Sequence, residues 1–424
     1  MVDMMHGLSI QSPNHPVHSR LLKASFISLL LSFTLFPIAH LAVFGLPLYW
    51  SETALVFSIV LAGLSNPDWF TGRIFAIVSK EKPFFLFASL FLAGILVSYF
   101  INPHTLSGWG EIKSFYIFPV LFLIAITVWG ETKKHLWQMA IAWLLGSMAA
   151  VIAGLSAASF GWYLYDGRLA GFYQSPNYLA VLIAPGVLLA LQLFRASMNG
   201  KREKAILLLS LGFSLALLWL TQSYAVCFAL GLAWLAALVL GNRSPRQFFW
   251  PAFLLLLIVG AFLAGERGSE KWHSLISGDD RSSLASRVII WQSATKIATD
   301  TFPWGIGTGR FQEVYLDYQR FYPPYLEWAV PTSHNLYLHF LLEGGLLTLF
   351  GWLGCVGWAL ILATRALVVS RKSGNTPHFL ILGITLLAFY LAYGLVDTPY
   401  MKNDLALAVW GSLGFILAAQ KIKA

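Results

Sequence analysis

The sequence predicts an all-α polytopic membrane protein of about 12 transmembrane helices, with one large helical loop between spans 9 and 10. Composition is the first ground for this. Hydrophobic residues make up 58% of the chain and charged residues only 11%, with 17 Trp and 32 Phe, outside the range of soluble domains. The second is the recurrence of apolar runs long enough to cross about 30 Å of hydrocarbon. The third is charge: with the N-terminus cytoplasmic, the short loops of the other side hold only Lys113, Arg168 and Lys402, and most of the 28 Lys and Arg collect on the cytoplasmic side.

The elements follow in order. Residues 1–23 are polar, with several His and two Pro near the start, and lack the basic-then-apolar opening of a cleaved signal; they read as a cytoplasmic tail. Apolar runs near 24–46, 49–66, 84–101, 115–130, 136–158 and 178–194 give six spans. The long run from Ala205 to Asn242 is too long for one crossing, so it is divided at TQSYA into 205–221 and 224–241, which also keeps the later basic loops on the cytoplasmic side. The run 248–264 completes spans 1–9 within residues 24–264. Residues 265–333 then form the large external loop, far longer than connections usual between bundled helices. Runs at 336–364, 378–396 and 404–420 finish the bundle within residues 334–424, with the C-terminus cytoplasmic.

The external loop is rich in aromatics, including Trp272, Trp291, Trp304, Tyr315 and Trp328, and reads as a helical cap over the bundle. Ser282 or Ser283 fits an N-cap; Leu284, Val288, Trp291 and Ala298 form an apolar stripe, and TFPWGIGTG ends the helix. Arg287 and Trp291, four residues apart, share one side of that helix, with Arg281 further up. A guanidinium at a membrane surface suits bidentate contact with phosphate, while ordinary helix charge opposite Asp279 or Asp280 is the plainer account, favoured for Arg281.

The stretch VPTSHNLYLHFLLEGG, Val330 to Gly345, sets His334, Asn335, His339 and Glu343 at the mouth of span 10. Polar groups there cost free energy unless they face water, protein or ligand. His334 follows Thr332 and Ser333, both fit to cap the helix, and a helix N-terminus favours a neutral imidazole that can act as a base. Capping, or a place at the headgroup level, is the alternative. Several other chemistries are disfavoured. GIGTG follows a helix and lacks a downstream Lys-Ser or Lys-Thr, so it reads as a turn and not a nucleotide loop. Asp279 and Asp280 have no further ligand at metal spacing, and Cys227 and Cys355 sit apart in apolar runs. No metal or other cofactor is therefore expected. The net charge of +9 is spread over many loops and reflects topology, so no nucleic-acid partner is expected.

Several motifs occur in order: RLAGFYQSPNYLA (Arg168 to Ala180), RVIIW (Arg287 to Trp291), PWGIGTGRF (Pro303 to Phe311), SHNLYLHFLLEGG (Ser333 to Gly345) and GLVDTPYMKNDLALAVW near the C-terminus. Together they resemble the O-antigen ligase and polymerase superfamily over nearly the whole chain. The resemblance implies a GT-C-like glycosyltransferase of the bacterial inner membrane, its active site and large loop facing the periplasm. It implies transfer of a glycan from an undecaprenyl-diphosphate-linked donor to an acceptor hydroxyl, such as that of lipid A-core, without a metal. His334 would be the base and Arg287 would stabilise the diphosphate, with Arg168, Arg281, Asn335, Tyr224 and Trp291 expected along the donor and glycan path. One position departs from the pattern: the family usually has Ser-Arg after the Thr of the turn between spans 7 and 8, and this chain has TQSYA, with Tyr224 in place of the Arg.

A polymerase or a protein O-oligosaccharyltransferase shares these motifs and differs in acceptor; the presence of only one large external loop favours a ligase. A small-solute transporter is the reading from another class. It would place ionisable residues at mid-membrane, and the spans here are nearly free of internal charge.

Overall fold

A computed structural model describes residues 16–37, 41–43, 46–102, 106–173, 175–196, 200–241, 260, 273, 283–323, 329–374 and 376–422. Among them the chain is helical apart from turns and one short hairpin, β1 (Leu41–Val43) antiparallel to β2 (Leu46–Leu48). α1 (Pro16–Thr34) starts and ends earlier than the hydropathy run at 24–46, and takes in part of the expected tail. Proline suits the first position of a helix, where its missing N–H costs nothing, and Pro37 stands just beyond the last turn. The hairpin then pairs backbone groups that the rest of the run would leave open.

Helices occupy each of the other expected runs among the described residues. They are α2 (Trp50–Ser65), α4 (Lys82–Ile101), a π-helical turn (Ile112–Ile117) continuing into α6 (Phe118–Trp129), α7 (Lys133–Ser159) and α8 (Pro176–Ala196). After these come α9 (Lys201–Thr221), α10 (Tyr224–Gly241), α13 (Leu336–Lys372), α14 (His378–Tyr393) and α15 (Asn403–Ala419). The run at 248–264 lies outside the described residues, as do Arg281, Asp279, Asp280, Trp272 and Trp328. Among the described residues seven helices are long and apolar enough to cross a membrane: α4, Gly108–Trp129, α7, α8, α9, α10 and α13; α2, α14 and α15 are apolar but shorter. The chain is thus an all-α polytopic membrane protein. The division at TQSYA is present: Gln222 turns the chain in the left-handed region (φ 47°) between α9 and α10.

A helix outside the expected apolar runs precedes α4. α3 (Pro67–Lys80) is mostly exposed and is started by Asn66, whose Oδ1 accepts from the Trp69 N–H at 2.9 Å, with Pro67 in the first turn. Its low hydropathy hid it, and it lies beside the first turn of α4 and the end of α6, where Arg73 pairs with Glu131.

The bundle has two unlike ends. α7 starts with Lys133 and Lys134, α8 finishes at Arg195, α13 finishes at Arg371 and Lys372, and α14 starts at His378, so these groups gather at one end. The opposite end carries the loop 160–175, the turn at Gln222, the start of α13 and the loop 394–402. α11 (Ser283–Asp300) and α12 (Phe311–Tyr318) pack there, with their own small core of Ile290, Ile297, Phe311, Tyr315 and Leu342. α5 (Leu106–Glu111) also sits at this end, with Gly108 against Thr308.

α4 and α13 approach until their backbones touch. A Cβ on Gly351 would stand 2.3 Å from the Phe91 nitrogen, and one on Gly94 2.5 Å from the Thr348 nitrogen. Thr348 Oγ1 donates to the Phe91 carbonyl at 3.2 Å across the same seam. Lipid offers no hydrophobic drive between helices, so such close van der Waals contact is what holds them. Around it Phe91, Phe340, Trp352, Tyr400 and Trp410 interlock, and Trp410 Nε1 donates to Tyr400 Oη at 2.7 Å.

Candidate functional site

The polar mouth of α13 is built by two docked segments. The turn 301–310 drops onto α13 where the helix is broken at Gly345 (φ 69°, ψ −167°). Ile306 N–H donates to the Leu342 carbonyl at 2.6 Å, and Leu346 N–H donates to the Pro303 carbonyl at 2.8 Å. A Cβ on Gly345 would lie 2.3 Å from the Pro303 oxygen, so the break and the contact both require glycine. GIGTG is therefore a turn, as its context suggested, and α13 is its seat. Glu343, fully enclosed, accepts from Gly309 N–H at 3.2 Å and from Tyr116 Oη, and lies 3.5 Å from His339 Nε2. Glu343 and His339 thus face protein.

The second segment is the loop 394–402. Asn335 Nδ2 donates to the Leu395 carbonyl at 2.9 Å, Leu336 N–H to the Gly394 carbonyl at 2.8 Å, and Thr398 Oγ1 to Thr332 Oγ1 at 2.7 Å. The N-cap of α13 is Asn335, not Thr332 or Ser333: its Oδ1 accepts from the Tyr337 and Leu338 N–H groups at 3.1 and 3.0 Å. Both ends of the Asn335 side chain are thereby bound to backbone. His334 precedes the cap, in the left-handed region at φ 48°, a conformation that costs a β-carbon residue free energy. Strain of this kind persists only where surrounding contacts enforce it. Here Trp291 Nε1 donates to the His334 carbonyl at 3.1 Å, and the ring is held from the other side.

That holder is Asp397, which the sequence reading did not single out. His334 Nδ1 lies 2.9 Å from Asp397 Oδ1, which also accepts from Thr398 N–H at 2.9 Å. Oδ2 accepts from Tyr393 Oη at 2.8 Å and lies 3.5 Å from Arg287 Nη2. Every neighbour is a donor, which an ionised carboxylate satisfies and an acid would not. Burial alone would raise this carboxyl; the His334 ring, its hydrogen bond and the Arg287 guanidinium outweigh burial and hold it well below the ordinary carboxylate range. With Nδ1 donating to Asp397, the His334 Nε2 is left as the acceptor, the form a general base needs.

Arg287, partly buried, lies between Asp397 and Ser283, whose Oγ accepts from Nη1 at 2.9 Å. Its Nε has no hydrogen-bond partner among the described residues. Arg168 stands within electrostatic reach of Arg287, Tyr224 and Tyr393. Burial lowers its proton affinity and the nearby Asp166 opposes that effect. Its Nε donates to the Thr221 carbonyl at 3.0 Å and its Nη2 to Asn177 Oδ1 at 3.0 Å, where Ser223 Oγ also donates at 3.0 Å. The turn between α9 and α10 is thus tied to the loop before α8. His334, Arg287, Arg168, Tyr224, Trp291 and Asn335 all fall at this one end, joined by Asp397 and Tyr393.

Residues 205–353 match the family model described as O-antigen ligase. This stretch is thus similar to the O-antigen ligase superfamily. The match supports an O-antigen ligase or polymerase family function, in a family whose members are glycosyltransferase-like ligases. No curated protein matches the chain. The O-antigen ligase stretch contains Tyr224, Arg287, Trp291, His334 and Asn335, whereas Arg168 and Asp397 lie outside it and reach the site only through folding. On the outer side of α11 a groove of about 600 Å³ is lined by Trp291, Gln292, Thr295, Lys296, Asp300 and Tyr322. It begins at the tryptophan that holds the His334 carbonyl.

Proposed function

We propose that this protein transfers a glycan from an undecaprenyl-diphosphate-linked donor to an acceptor hydroxyl at the periplasmic face of the bacterial inner membrane. The acceptor class is that of an O-antigen ligase, lipid A-core. The observation that carries the reading is the buried Asp397 between His334 and Arg287, which pairs an oriented base with a cation whose Nε has no hydrogen-bond partner among the described residues.

The acceptor hydroxyl gives its proton to His334 Nε2 as its oxygen attacks the anomeric carbon. The bond from that carbon to the diphosphate oxygen breaks, and the electron pair leaves with the diphosphate. Attack opposite the leaving group inverts the anomeric centre. Arg287, through Nε, and Arg168 offset the charge on the departing diphosphate, and Asp397 offsets the charge gained by His334. Tyr224, beside Arg168, takes the place where relatives carry an arginine and offers a neutral hydroxyl to the same group. The groove along α11, with Trp291 and Tyr322 in its wall, suits sugar faces and hydroxyls. Arg281, close before Ser283 in the sequence, joins the path of the anion. No metal enters the reaction.

The same reading sets twelve spans, both termini in the cytoplasm, and residues 265–333 as a periplasmic cap. The near lack of charged residues within the apolar runs of the sequence argues against a solute pathway. The deciding experiment is the lipopolysaccharide profile of a deletion strain. Loss of long-chain glycan with accumulation of lipid-linked polymer supports the ligase. Acceptor carrying a single repeat unit would instead assign polymerase.

A further inference from the structure

At the end of the bundle away from His334, the start of α7, the end of α8 and the start of α14 enclose a cavity of about 600 Å³. Lys133, Lys134 and Arg195 line it with His378, and no carboxylate is among the described residues of its wall. The wall is otherwise apolar, with Trp137 and Phe379 edge to face at 6.3 Å. Nearby, Arg73 has its own counter-charge in Glu131, but among the described residues no carboxylate pairs with Lys133 or Lys134. Like charges gathered around one cavity repel one another, an arrangement that an anion relieves. Pro377, the N-cap of α14, supplies no side-chain hydrogen bond to the first turn, and this end of the helix forms part of the cavity wall.

A second cavity of about 470 Å³ shares Pro377, Leu380, Ala419 and Ile422 with the first and brings Lys80, Arg365 and Lys421 to its wall. Its one carboxylate, Glu81, already accepts from Trp358 Nε1 at 3.3 Å and Gln420 Nε2 at 2.8 Å. Burial first, and then the neighbouring Lys80, lower the Lys421 ammonium to about 8.

We propose that this paired cavity binds the phosphate headgroup of an anionic phospholipid, with Lys133, Lys134 and Arg195 at the phosphate and the acyl chain against Trp137 and Phe379. The apolar wall beside the cations favours a lipid over a free anion, since a soluble phosphate would leave that wall in water. The site sits where the helices leave the hydrocarbon, so the inference rests on reading them as spanning. It does not depend on the transfer reaction. A lipid held there joins α7 and α8 to α14, and α14 carries Tyr393 at its far end.

The test is lipid retention by the full-length protein, read by native mass spectrometry and thermal unfolding, in phosphatidylcholine nanodiscs with or without a minor fraction of phosphatidylglycerol. The parental protein is expected to retain phosphatidylglycerol and to unfold at a higher temperature in its presence. Lys133→Gln with Lys134→Gln should weaken binding on the order of tenfold or more, while Lys372→Gln, at the same end but outside both cavities, should behave as the parent. Thr376→Asp, which puts a carboxylate in the wall, should abolish retention and decides the matter if the double variant does not fold. Equal retention by the charge variants, or an equal effect of phosphatidylcholine alone, overturns the proposal. If inorganic phosphate at matched concentration reproduces the whole stabilisation, the site takes a free anion and the lipid assignment is wrong. None of these readouts requires transfer activity, so the result stands apart from the proposed reaction.

Discussion

Asp397→Asn is the sharpest perturbation of the proposed site. The amide keeps the shape of the carboxyl but replaces one acceptor with a donor. If its oxygen stays toward His334 Nδ1 and Thr398 N–H, its NH₂ group meets Arg287 Nη2, donor against donor. The His334 tautomer is then preserved and the negative charge is lost. In the transition state His334 carries a proton taken from the acceptor, and a carboxylate about 4 Å from the centre of that charge stabilises it by about 4 kcal/mol at an effective dielectric of about 20. That corresponds to about three orders of magnitude in rate. The His334 side chain is 30% exposed, so solvent screens part of this, and a fall of about 10² to 10³ in kcat is expected. The assay is transfer by purified protein in liposomes loaded with a lipid-diphosphate glycan, with thermal unfolding of the same samples to confirm the fold. Asp397→Ala should be worse, because it leaves Arg287, Tyr393 and His334 without their common acceptor. A folded Asp397→Asn protein transferring at the parental rate would refute the assignment of this pair. A fall caused entirely by a raised KM would show that the residue holds substrate and does not support the base.

Other outcomes follow from the same geometry. His334→Gly should retain its fold, since glycine accepts φ 48° without strain, and should lose transfer by on the order of 10² to 10⁴; full activity in the liposome assay would exclude the base. Arg287→Lys keeps one charge but loses Nε and the fork, so transfer should fall sharply with little change in unfolding temperature, and added chelator should leave the parental rate unchanged. Gly345→Ala should destabilise by roughly 2–5 kcal/mol through its left-handed backbone and its overlap with Pro303, measurable as a lowered unfolding midpoint and poor expression. Cysteines introduced at Leu275 or Arg320 should react with an impermeant thiol reagent in spheroplasts while one at Gly200 should not; the reverse pattern would invert the topology.

The sequence made the helices readable because hydropathy runs in a bilayer are long and unbroken, and the charge asymmetry fixed the turn at TQSYA. It hid α3, whose exposed polar face dilutes its hydropathy, and it placed the end of α1 too late because apolar residues continue past the helix into β1. His334 and Arg287 stood out as polar groups beside apolar ones. Asp397 did not, because an aspartate in a short loop is unremarked until folding brings it 63 positions back in sequence to touch His334. Asn335 looked like a ligand for the substrate and is occupied with backbone at both ends of its side chain. For Glu343 and His339 the pattern showed that partners were needed, and only the docked turn 301–310 supplies the environment that buries them.

Because the carboxylate comes from the loop before the final helix, the order of synthesis matters. A ribosome that has delivered α13 to the membrane has already placed His334, with no counter-charge and nothing at Leu395 or Gly394 to hold Asn335 and Leu336. The reactive mouth comes into being only when α14 and α15 enter as a pair and bring residues 394–402 back over it. Under the proposed mechanism, a nascent chain, or one truncated before its last hairpin, would therefore be chemically silent even with the whole O-antigen ligase stretch in place.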